Sequence, residues 1–308
     1  MVSNFDVIVL GAAAIDHIAR VDRLPGIDEI VFAEEYTHYA GGSGANIAAG
    51  LAKLGRSVAF LGKIGDDEDG GWLLKKMSDS GIDTQAMKTV TGGKSASCFI
   101  ALDDQGNRVI YALGGTALIE NVDELDLPSI AGSRVVCIGD AYVPVAAAAA
   151  EAALNNETAV FFIPGGLMVA KGLKDLSPIL KNTSVLVVSR NEANMLIGDC
   201  SSSEAGLSLR GFGPEIVVVT LGEDGAILVS ESDIEIIPAI DTSVIDTTGA
   251  GDAFAAGLIN AHLDNRDWRD AVEMGCAMAA IKISHLGATG GLPNKLELER
   301  FIEMRDTL

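Results

Sequence analysis

The chain has 308 residues, 48% of them hydrophobic, which indicates a globular protein with a substantial core and excludes disordered and fibrous classes. Its 43 acidic and 22 basic residues give a formal net charge of −21. Because so acidic a surface repels phosphate backbones and anionic lipids, we expect neither nucleic acid nor a membrane as a partner.

The sequence contains four cysteines, which are Cys98, Cys137, Cys200 and Cys276. They are far apart and form no Cys-x-x-Cys pair, which argues against a disulfide framework and is typical of a reducing cytoplasm.

The first residues have no basic region and an apolar run of only 7–10, so they do not resemble a signal peptide. The longest apolar region, 135–154, contains Asp140 and Pro144 and is too interrupted to predict a membrane span. We therefore expect a cytoplasmic protein.

Short runs of β-branched and other apolar residues recur along the chain and predict the strands of a sheet. They are 7–10, 58–61, 135–138, 160–163, 185–188, 216–220 and 226–230. Most are apolar at every position, which is typical of strands buried on both faces. Between several of them lie segments of helical length, for example 45–54, 70–80, 145–154 and 191–197. This alternation predicts an α/β fold with a mainly parallel sheet and helices on both of its faces.

Two segments, 14–39 and 95–113, differ from this pattern because polar and apolar residues alternate in them, as in 30–36. The second segment contains the turn-forming run Asp-Asp-Gln-Gly-Asn at 103–107, between two strand-like stretches. Together the segments predict a small antiparallel sheet, set apart from the main one. No internal repeat, low-complexity segment or linker divides the chain.

The last third of the chain is predicted to be helical. One helix should begin at 249–252 and run to about residue 263, and another should run from 267 to about 284. Four residues of the second helix recur at helical spacing and predict a stripe that faces the core: Trp268, Val272, Gly275 and Ala279.

Several familiar nucleotide-binding and hydrolase motifs are absent from the sequence. The run Gly92–Ser95 lacks the first glycine of a P-loop, because Lys88 stands at that position, and it precedes a strand-like run rather than a helix. Neither glycine cluster, 41–44 or 249–251, completes a Gly-x-Gly-x-x-Gly dinucleotide motif, and no Gly-x-Ser-x-Gly elbow is present.

The segment 246–257 reads Asp-Thr-Thr-Gly-Ala-Gly-Asp-Ala-Phe-Ala-Ala-Gly, so two glycines flank an alanine just before a long apolar helix. The N–H groups of 249–252 should point outward at the positive end of the helix dipole, where they can bind a phosphate or another developing anion. We interpret Asp252, beside this site, as the general base of a phosphoryl transfer. The alternative is a first-turn acid that only complements the helix dipole. Capping does not need the Gly-Ala-Gly run, which therefore favours the base.

Two further segments contain candidate binding residues. Residues 41–46 read Gly-Gly-Ser-Gly-Ala-Asn before an alanine-rich helix, where glycines let a ligand approach the backbone and Asn46 can both donate and accept hydrogen bonds. On this motif alone, a plain glycine turn is an equally good interpretation. Residues 220–225 read Thr-Leu-Gly-Glu-Asp-Gly at the carboxyl end of a predicted strand, where α/β sheets bind ligands.

Taken together, these segments resemble the ribokinase-like (PfkB) family of carbohydrate kinases over nearly the whole chain. Residues 246–257 match its C-terminal signature, 41–46 with Gly55 and 62–67 match its N-terminal signature, and 220–225 match its nucleotide motif. The resemblance implies a three-layer fold, with a mainly parallel central sheet, helices on both faces and a small antiparallel β lid. The lid would be inserted in a single kinase domain that spans 1–308.

The resemblance also implies a role for each matching position. Asp252 would accept the proton of a substrate hydroxyl, beside an anion hole made by Gly249, Ala250 and Gly251. The sugar would be held by Asp16, Gly41, Gly42 and Asn46. The ATP site would be lined by Asn191, Thr220, Gly222, Gly225 and Cys276.

Cofactors and assembly follow from the same resemblance. ATP would be the phosphoryl donor and magnesium its companion ion. A monovalent cation, K+, would raise activity by ordering the loop of the anion hole, and its ligands would come from Asp246, Thr248, Ile283, Leu286 and Ala288. Segments 14–39 and 95–113 match the β lid, which would cover the sugar and pair with a second copy in a homodimer.

Three positions depart from the family pattern. Asn194 stands where the family's Asn-x-x-Glu motif, tied to magnesium and phosphate, has its glutamate, although Glu192 is nearby. Ser43 replaces the lysine that is common after the glycine pair in ribokinases. Gly114-Gly115-Thr116 stands where many sugar kinases have Gly-Ala-Asn. The first departure bears on magnesium, and the other two weaken the case for ribose itself.

The sequence therefore predicts an ATP-dependent kinase that phosphorylates a hydroxymethyl group of a sugar, as ribokinases and fructokinases do. A nucleoside kinase of the adenosine or pseudouridine type is the alternative, and it would need a wider and more apolar pocket. A non-catalytic sugar-binding protein is a further alternative, against which the intact Asp252 and its glycines argue. A hydrolase would need an activated serine or cysteine, and no motif for one is visible.

Overall fold

A computed structural model describes residues 5–306. Its strands, in chain order, are β1 (Val7–Leu10), β2 (Ala14–Val21), β3 (Glu35–Gly41), β4 (Val58–Leu61), β5 (Lys63–Gly65), β6 (Ile82–Asp83), β7 (Lys88–Val90), β8 (Ser97–Asp103), β9 (Arg108–Gly114), β10 (Val135–Ile138), β11 (Ala159–Phe162), β12 (Val185–Ser189), β13 (Ile216–Thr220), β14 (Ala226–Val229) and β15 (Ile234–Ile237). Its α-helices are α1 (Ser43–Lys53), α2 (Glu68–Asp79), α3 (Leu127–Ala131), α4 (Val143–Leu154), α5 (Gly166–Val169), α6 (Gly172–Leu180), α7 (Arg190–Ile197), α8 (Ser202–Arg210), α9 (Ala250–Leu263), α10 (Trp268–Ile283) and α11 (Lys295–Asp306).

The main sheet has nine strands in the order β15-β14-β13-β12-β11-β10-β1-β4-β6. Only β14 and β15 pair antiparallel with their neighbours, at one edge, and the other neighbouring strands of this sheet are parallel. The prediction of a mainly parallel sheet is therefore confirmed. Because parallel strands end at the same edge, the loops after β1, β4, β10, β12 and β13 are brought to the edge where such sheets bind ligands.

Helices cover both faces of this sheet and form two cores. Val7 and Val9 of β1 pack into one core with residues of α1, α9 and α10, whereas Ile8 and Leu10 pack into the other with residues of α4, α6 and α8. Each position of the strand is therefore buried, which explains why the predicted strands are apolar without alternation.

The ends of the elements differ from the predictions mainly at helix starts. Helices α1, α2, α4 and α7 begin one or two residues before the predicted segments. The first turn of a helix carries capping residues rather than the apolar pattern. Asp67 accepts the Gly70 N–H ahead of α2, and Ser189 accepts the Glu192 N–H ahead of α7.

The predicted lid forms a separate four-stranded sheet in the order β3-β2-β8-β9, which we call the lid. Its outer pairs, β2 with β3 and β8 with β9, are antiparallel as predicted, but the central pair of β2 and β8 is parallel. The predicted turn at 103–107 joins β8 to β9, and Asp103 stabilises it by accepting the N–H groups of Gln105 and Asn107. Residues 30–34 are not a strand, because no strand of the described chain pairs with them, and Phe32 is 87% exposed.

Across residues 5–306, no helix combines the length and the hydrophobicity that crossing a membrane requires.

Candidate active site

The N-terminus of α9 is built around Gly249. Gly249 has φ 78°, in the left-handed region, and a Cβ there would lie 2.4 Å from the Ala288 carbonyl oxygen, so only glycine fits. The Ala250 N–H is bonded to the Thr247 carbonyl at 3.2 Å. Of the residues predicted to form the anion hole, Ala250 therefore has an N–H that already has an acceptor. The following N–H groups, of Gly251 and Asp252, have no backbone acceptor within residues 5–306 and are placed to bind an anion.

Asp252 is held by the N-terminus of a second helix, α1. The Ser43 hydroxyl donates to Asp252 Oδ1 at 2.6 Å, and the Asn46 amide donates to Oδ2 at 2.8 Å. Burial raises the pKa of Asp252, these two hydrogen bonds oppose the rise, and the charges of Asp140 and Asp16 add to it. A carboxylate that is oriented on both oxygens and has a raised pKa is well suited to accept a proton.

In the sequence, Ser43 is notable only because it replaces the lysine that is common in the family. In the structure, its hydroxyl orients the carboxylate of Asp252, the candidate base. Asn46 is 7% exposed, and its Oδ1 is buried without a hydrogen-bond partner in the described chain. Because an unpaired buried acceptor is costly, this atom is a candidate to receive a substrate hydroxyl.

Asp16 lies on β2, opposite Tyr39 and Cys98 of the neighbouring lid strands. No hydrogen bond to its carboxylate is found among the described residues, and burial raises its pKa while His17 opposes the rise. A Cβ at Gly41 would lie 2.2 Å from Asp16 Oδ2, which explains the glycine at that position. Asp16 is therefore an unpaired, half-buried carboxylate in a glycine-lined wall.

The same face of the lid closes over the start of α9. A cleft of about 240 Å³ is lined by Asp16 and Cys98 on one side and by Thr248 and Gly287 on the other. The lid therefore faces the loop that precedes α9 across this cleft.

Asp140, which follows β10, was missed as a site residue. Its Oδ1 is buried without a partner in the described chain, and burial raises its pKa. The Gly165 N–H opposes that rise, whereas the charge of Glu192 adds to it. The signal in the sequence was an acid two residues after a fully buried strand, at the edge where ligands bind.

A second cavity, of about 450 Å³, opens beside Asp140. Its wall is formed largely by small or apolar residues, among them Ala12, Ala96, Gly115, Ala141, Leu167 and Met168. This volume lies within the range of small-molecule sites, and Asp140 supplies a polar group at its rim.

Four of the five predicted nucleotide residues, Asn191, Thr220, Gly222 and Gly225, lie at or just after the ends of two adjacent parallel strands. Ser189, the last residue of β12, is paired with Thr220 of β13, so Asn191 and Thr220 share one edge. Gly225 has φ 93°, and a Cβ there would lie 2.0 Å from the Ile237 carbonyl oxygen. Gly222 begins the short 3-10 helix Gly222–Asp224 of this turn.

Two other features of this region bear on the nucleotide prediction. Arg190 Nη2 bonds to Asp224 Oδ2 at 2.6 Å and thereby ties α7 to the turn after β13. Cys276 is 7% exposed and lies on α10 in the core, so it offers only a small surface to a ligand.

The five positions predicted to bind a monovalent cation lie near the start of α9. They are Asp246, Thr248, Ile283, Leu286 and Ala288. The carboxylate of Asp246 already accepts the N–H groups of Thr248 at 2.9 Å and of Gly287 at 2.8 Å. The Ile283 carbonyl accepts the N–H groups of Ile245 at 2.8 Å and of Asp246 at 3.1 Å. Oxygens at two of the five positions therefore already accept backbone hydrogen bonds.

Comparison with known proteins adds an independent line of evidence. A family model described as pfkB family carbohydrate kinase matches residues 4–295. An ATP-dependent ribose-1-phosphate kinase from Halopiger xanaduensis is 31% identical over 273 residues, which cover 89% of this chain and 90% of that protein. A ribokinase from Haemophilus influenzae is 29% identical over 304 residues, which cover 96% of this chain and 97% of that protein.

Among solved structures, the ribokinase of Arabidopsis thaliana, complexed with ribose and ATP, matches with a TM-score of 0.88. The match covers 97% of this chain and 99% of that one, at 23% sequence identity. At this identity the likeness shows a common fold.

Proposed function

The chain belongs to the pfkB family of carbohydrate kinases, and on that premise we propose that it transfers the γ-phosphoryl group of ATP to a hydroxymethyl group of a sugar. The observation that carries the proposal is the carboxylate of Asp252, which both Ser43 and Asn46 orient beside the anion hole. The same arrangement argues against a non-catalytic sugar-binding protein, which would need no oriented base.

In this mechanism Asp252 accepts the proton of the hydroxymethyl group as its oxygen attacks the γ-phosphorus. The bond from that phosphorus to the bridging oxygen breaks, and ADP leaves with the electron pair. Negative charge on the transferring group would be stabilised by the N–H groups at the start of α9, chiefly those of Gly251 and Asp252. The transition state is loose, so positioning and electrostatics supply most of the rate.

We assign the sugar to the space between the lid and α1. Asp16 would accept two sugar hydroxyls, since its carboxylate has no hydrogen-bond partner among the described residues. Asn46 Oδ1, buried and unpaired, would accept another. Gly41 and Gly42 leave room for this contact, because a Cβ at either would collide with Asp16 or with the Ala12 carbonyl.

We assign ATP to the edge formed by Asn191, Thr220 and the turn with Gly222 and Gly225, with Cys276 beneath it. Two of the features on which this rests are the alignment of β12 with β13 and the required glycine at Gly225. The solved neighbour that holds ribose and ATP is consistent with a site of this kind.

Magnesium would arrive with ATP, because among residues 5–306 no cluster of three or more metal-ligating side chains is present. Mg²⁺ at nucleotide sites needs only one or two protein carboxylates besides the phosphates. Glu192, whose Oε2 caps α7 at Ser189, lies close enough to raise the pKa of Asp140. Asn194 Oδ1 is buried without a partner in the described chain. Residues two positions apart on a helix point to different faces, so Glu192 and Asn194 do not share one ion. We propose that the carboxylate of Glu192 holds the ion, which when bound neutralises phosphate charge.

A nucleoside is the second candidate substrate, and one observation favours it. The cavity of about 450 Å³ beside Asp140 would be left empty by a free sugar between Asp16 and Asp252. Its small and apolar wall could accept a base of the adenosine or pseudouridine type, with Asp140 as acceptor for a base N–H.

The test of the proposed function is ATP-dependent release of ADP with a panel of substrates. The panel contains ribose, fructose, ribose 1-phosphate, adenosine and pseudouridine. We expect turnover of at least one sugar or nucleoside. Binding of a panel member without release of ADP would instead show a non-catalytic sugar-binding protein.

Replacing Asp16 with asparagine should raise the KM for the preferred substrate by roughly 10- to 100-fold, because hydrogen bonds to a charged group are lost. The KM for ATP should not change. Steady-state kinetics in each substrate measures both values, and Asp22→Asn, an exposed acid just beyond β2, is the control. A rise confined to the KM for ATP would remove Asp16 from the sugar site.

We propose further that the whole chain is one kinase domain and that the lid pairs with a second copy of the chain. On the face away from the cleft, Tyr36 and Tyr111 are 59% and 58% exposed, and every residue of the edge strand β9 is exposed. Exposed apolar faces and open strand edges are normally covered. Light scattering at micromolar concentration should give a dimer, and Tyr111→Glu should give a monomer. A wild-type monomer would contradict this assembly.

The spacing of the cysteines also leads us to propose a cytoplasmic location, where ATP is available, because the four are far apart and form no Cys-x-x-Cys pair.

A further inference from the structure

Lys282, near the end of α10, is a fully buried cation. Its side chain is 0% exposed, and its Nζ donates to the Asp246 carbonyl at 2.8 Å and to the His285 carbonyl at 3.3 Å. The same Nζ lies 4.0 Å from Asp246 Oδ2. Burial lowers the pKa of Lys282, and the charge of Asp246 opposes that change. Burying an ammonium group is costly unless its partners compensate, and here the partners are two carbonyls and one carboxylate.

These partners belong to the two loops that form the anion hole. Asp246 lies three residues before Gly249 in the sequence. His285 lies at the start of the loop that leads to Ala288. The carbonyl oxygen of Ala288 lies so close to Gly249 that a Cβ there would collide with it. Lys282 therefore ties together the two backbone segments whose close contact shapes the start of α9.

A second cation reaches the same loop from the lid. Arg108, the first residue of β9, donates from Nη1 to the Thr248 hydroxyl at 2.7 Å. The oxygens of Asp246 and Ile283 already accept backbone N–H groups. The bond from Arg108 therefore adds Thr248 to the predicted K+ positions whose oxygens accept a hydrogen bond. Two fixed positive charges at one loop also repel a mobile cation, since like charges at short range are unfavourable.

We propose that the ammonium group of Lys282 acts as a built-in cation, which positions the anion-hole loop and makes the enzyme independent of K+. This replaces the expectation of activation by K+ and makes Lys282 a positioning residue, because it touches the loop and not the reacting atoms. The inference is tested by two measurements, kcat and the thermal midpoint of unfolding. The kcat measurement rests on the proposed kinase activity, whereas the thermal midpoint needs no substrate.

The first test uses the wild-type enzyme in chloride buffers of K+, Na+ and tetramethylammonium at equal ionic strength. We expect kcat values that agree within about twofold, the spread of general salt effects. We also expect the thermal midpoint to be the same in the three buffers. A kcat that K+ raises about fivefold or more over tetramethylammonium, as a specific effector can, would overturn the inference.

The second test uses Lys282→Met, which keeps the length of the side chain and removes its charge. In tetramethylammonium we expect kcat to fall by about tenfold, and K+ or ammonium to restore part of it. K+ should also raise the thermal midpoint of this variant by about 3 °C, because the ion binds only the folded state. Lys75→Met, an exposed lysine paired with Asp79 on α2, should show neither effect.

If Lys282→Met keeps the wild-type kcat and midpoint in every buffer, the built-in cation has no role. If the variant does not fold, the wild-type series alone decides. If the wild type releases no ADP with any substrate, the thermal midpoints still test the cation, so failure of the kinase proposal is distinguishable.

Discussion

Replacing Asp252 with asparagine should lower kcat by roughly 10²- to 10⁴-fold, the usual contribution of a general base. The amide keeps the shape of the side chain and both of its hydrogen bonds, since the Ser43 hydroxyl can reverse its role from donor to acceptor. It cannot accept the proton of the substrate hydroxyl. The affinities for sugar and ATP should stay nearly unchanged, and steady-state kinetics with the active panel member measures kcat and both KM values.

The pH profile of kcat distinguishes a base from a binding group. Catalysis needs the carboxylate form, and burial raises the pKa of Asp252 above its ordinary value of 3.8. The wild-type kcat should therefore be level above this raised pKa and fall as the pH decreases through it. Asp252→Asn should lack that acidic limb, because its remaining activity does not depend on this proton.

Asp267→Asn is the matched control for this substitution. Asp267 also stands at a helix N-terminus, where its carboxylate accepts the Asp270 N–H ahead of α10. Asparagine caps a helix as well as aspartate does, so kcat and stability should both be kept. If Asp252→Asn behaves in the same way, Asp252 only complements the dipole of α9 and the proposed mechanism is wrong. A change confined to KM would mean that Asp252 only binds.

Much of the fold could be predicted because the strand signal is strong where both faces are buried. The run 7–10 is apolar at every position and became β1, with alternate residues in two cores. Alternation was a weaker guide, since 30–36 alternates but most of it has no partner strand in the described chain. A strand needs a neighbour, and a sequence pattern does not show whether one is present.

The site could be predicted only where a local motif shapes the backbone. Gly249 and Asp252 belong to such a motif, whereas Ser43 meets Asp252 from 209 positions away along the chain. Lys282 resembles an ordinary basic residue in the last turn of a helix, and only packing shows that it is buried against Asp246. Contacts of this kind arise from the approach of helix ends, which no local spacing encodes.

Replacing Gly249 with alanine should lower kcat by roughly 10²- to 10³-fold, the cost of losing a preorganised donor to a developing anion. The new Cβ would lie 2.4 Å from the Ala288 carbonyl oxygen, which is a backbone atom. No flexible side chain can move aside, so the loop before α9 or the loop at Ala288 has to shift. Either shift displaces the N–H groups of Gly251 and Asp252 from the transferring phosphoryl group. Kinetics at saturating ATP and sugar measures the effect on kcat.

Backbone strain by itself should not lower kcat. The variant Gly55→Ala is the control that separates backbone strain from displacement of the anion hole. Gly55 has φ 86°, close to the 78° of Gly249, but a Cβ there would meet nothing within 4 Å. Gly55→Ala should lose about 1–3 kcal/mol of stability in urea, because a side chain in the left-handed region is strained. Gly249→Ala should lose more, because its Cβ also collides with the Ala288 carbonyl oxygen. Only Gly249→Ala should lose activity, since only there does the strain meet the anion hole. Equal activity of the two variants would mean that the loop at 249–251 tolerates displacement, and the phosphoryl group would then have to be stabilised elsewhere.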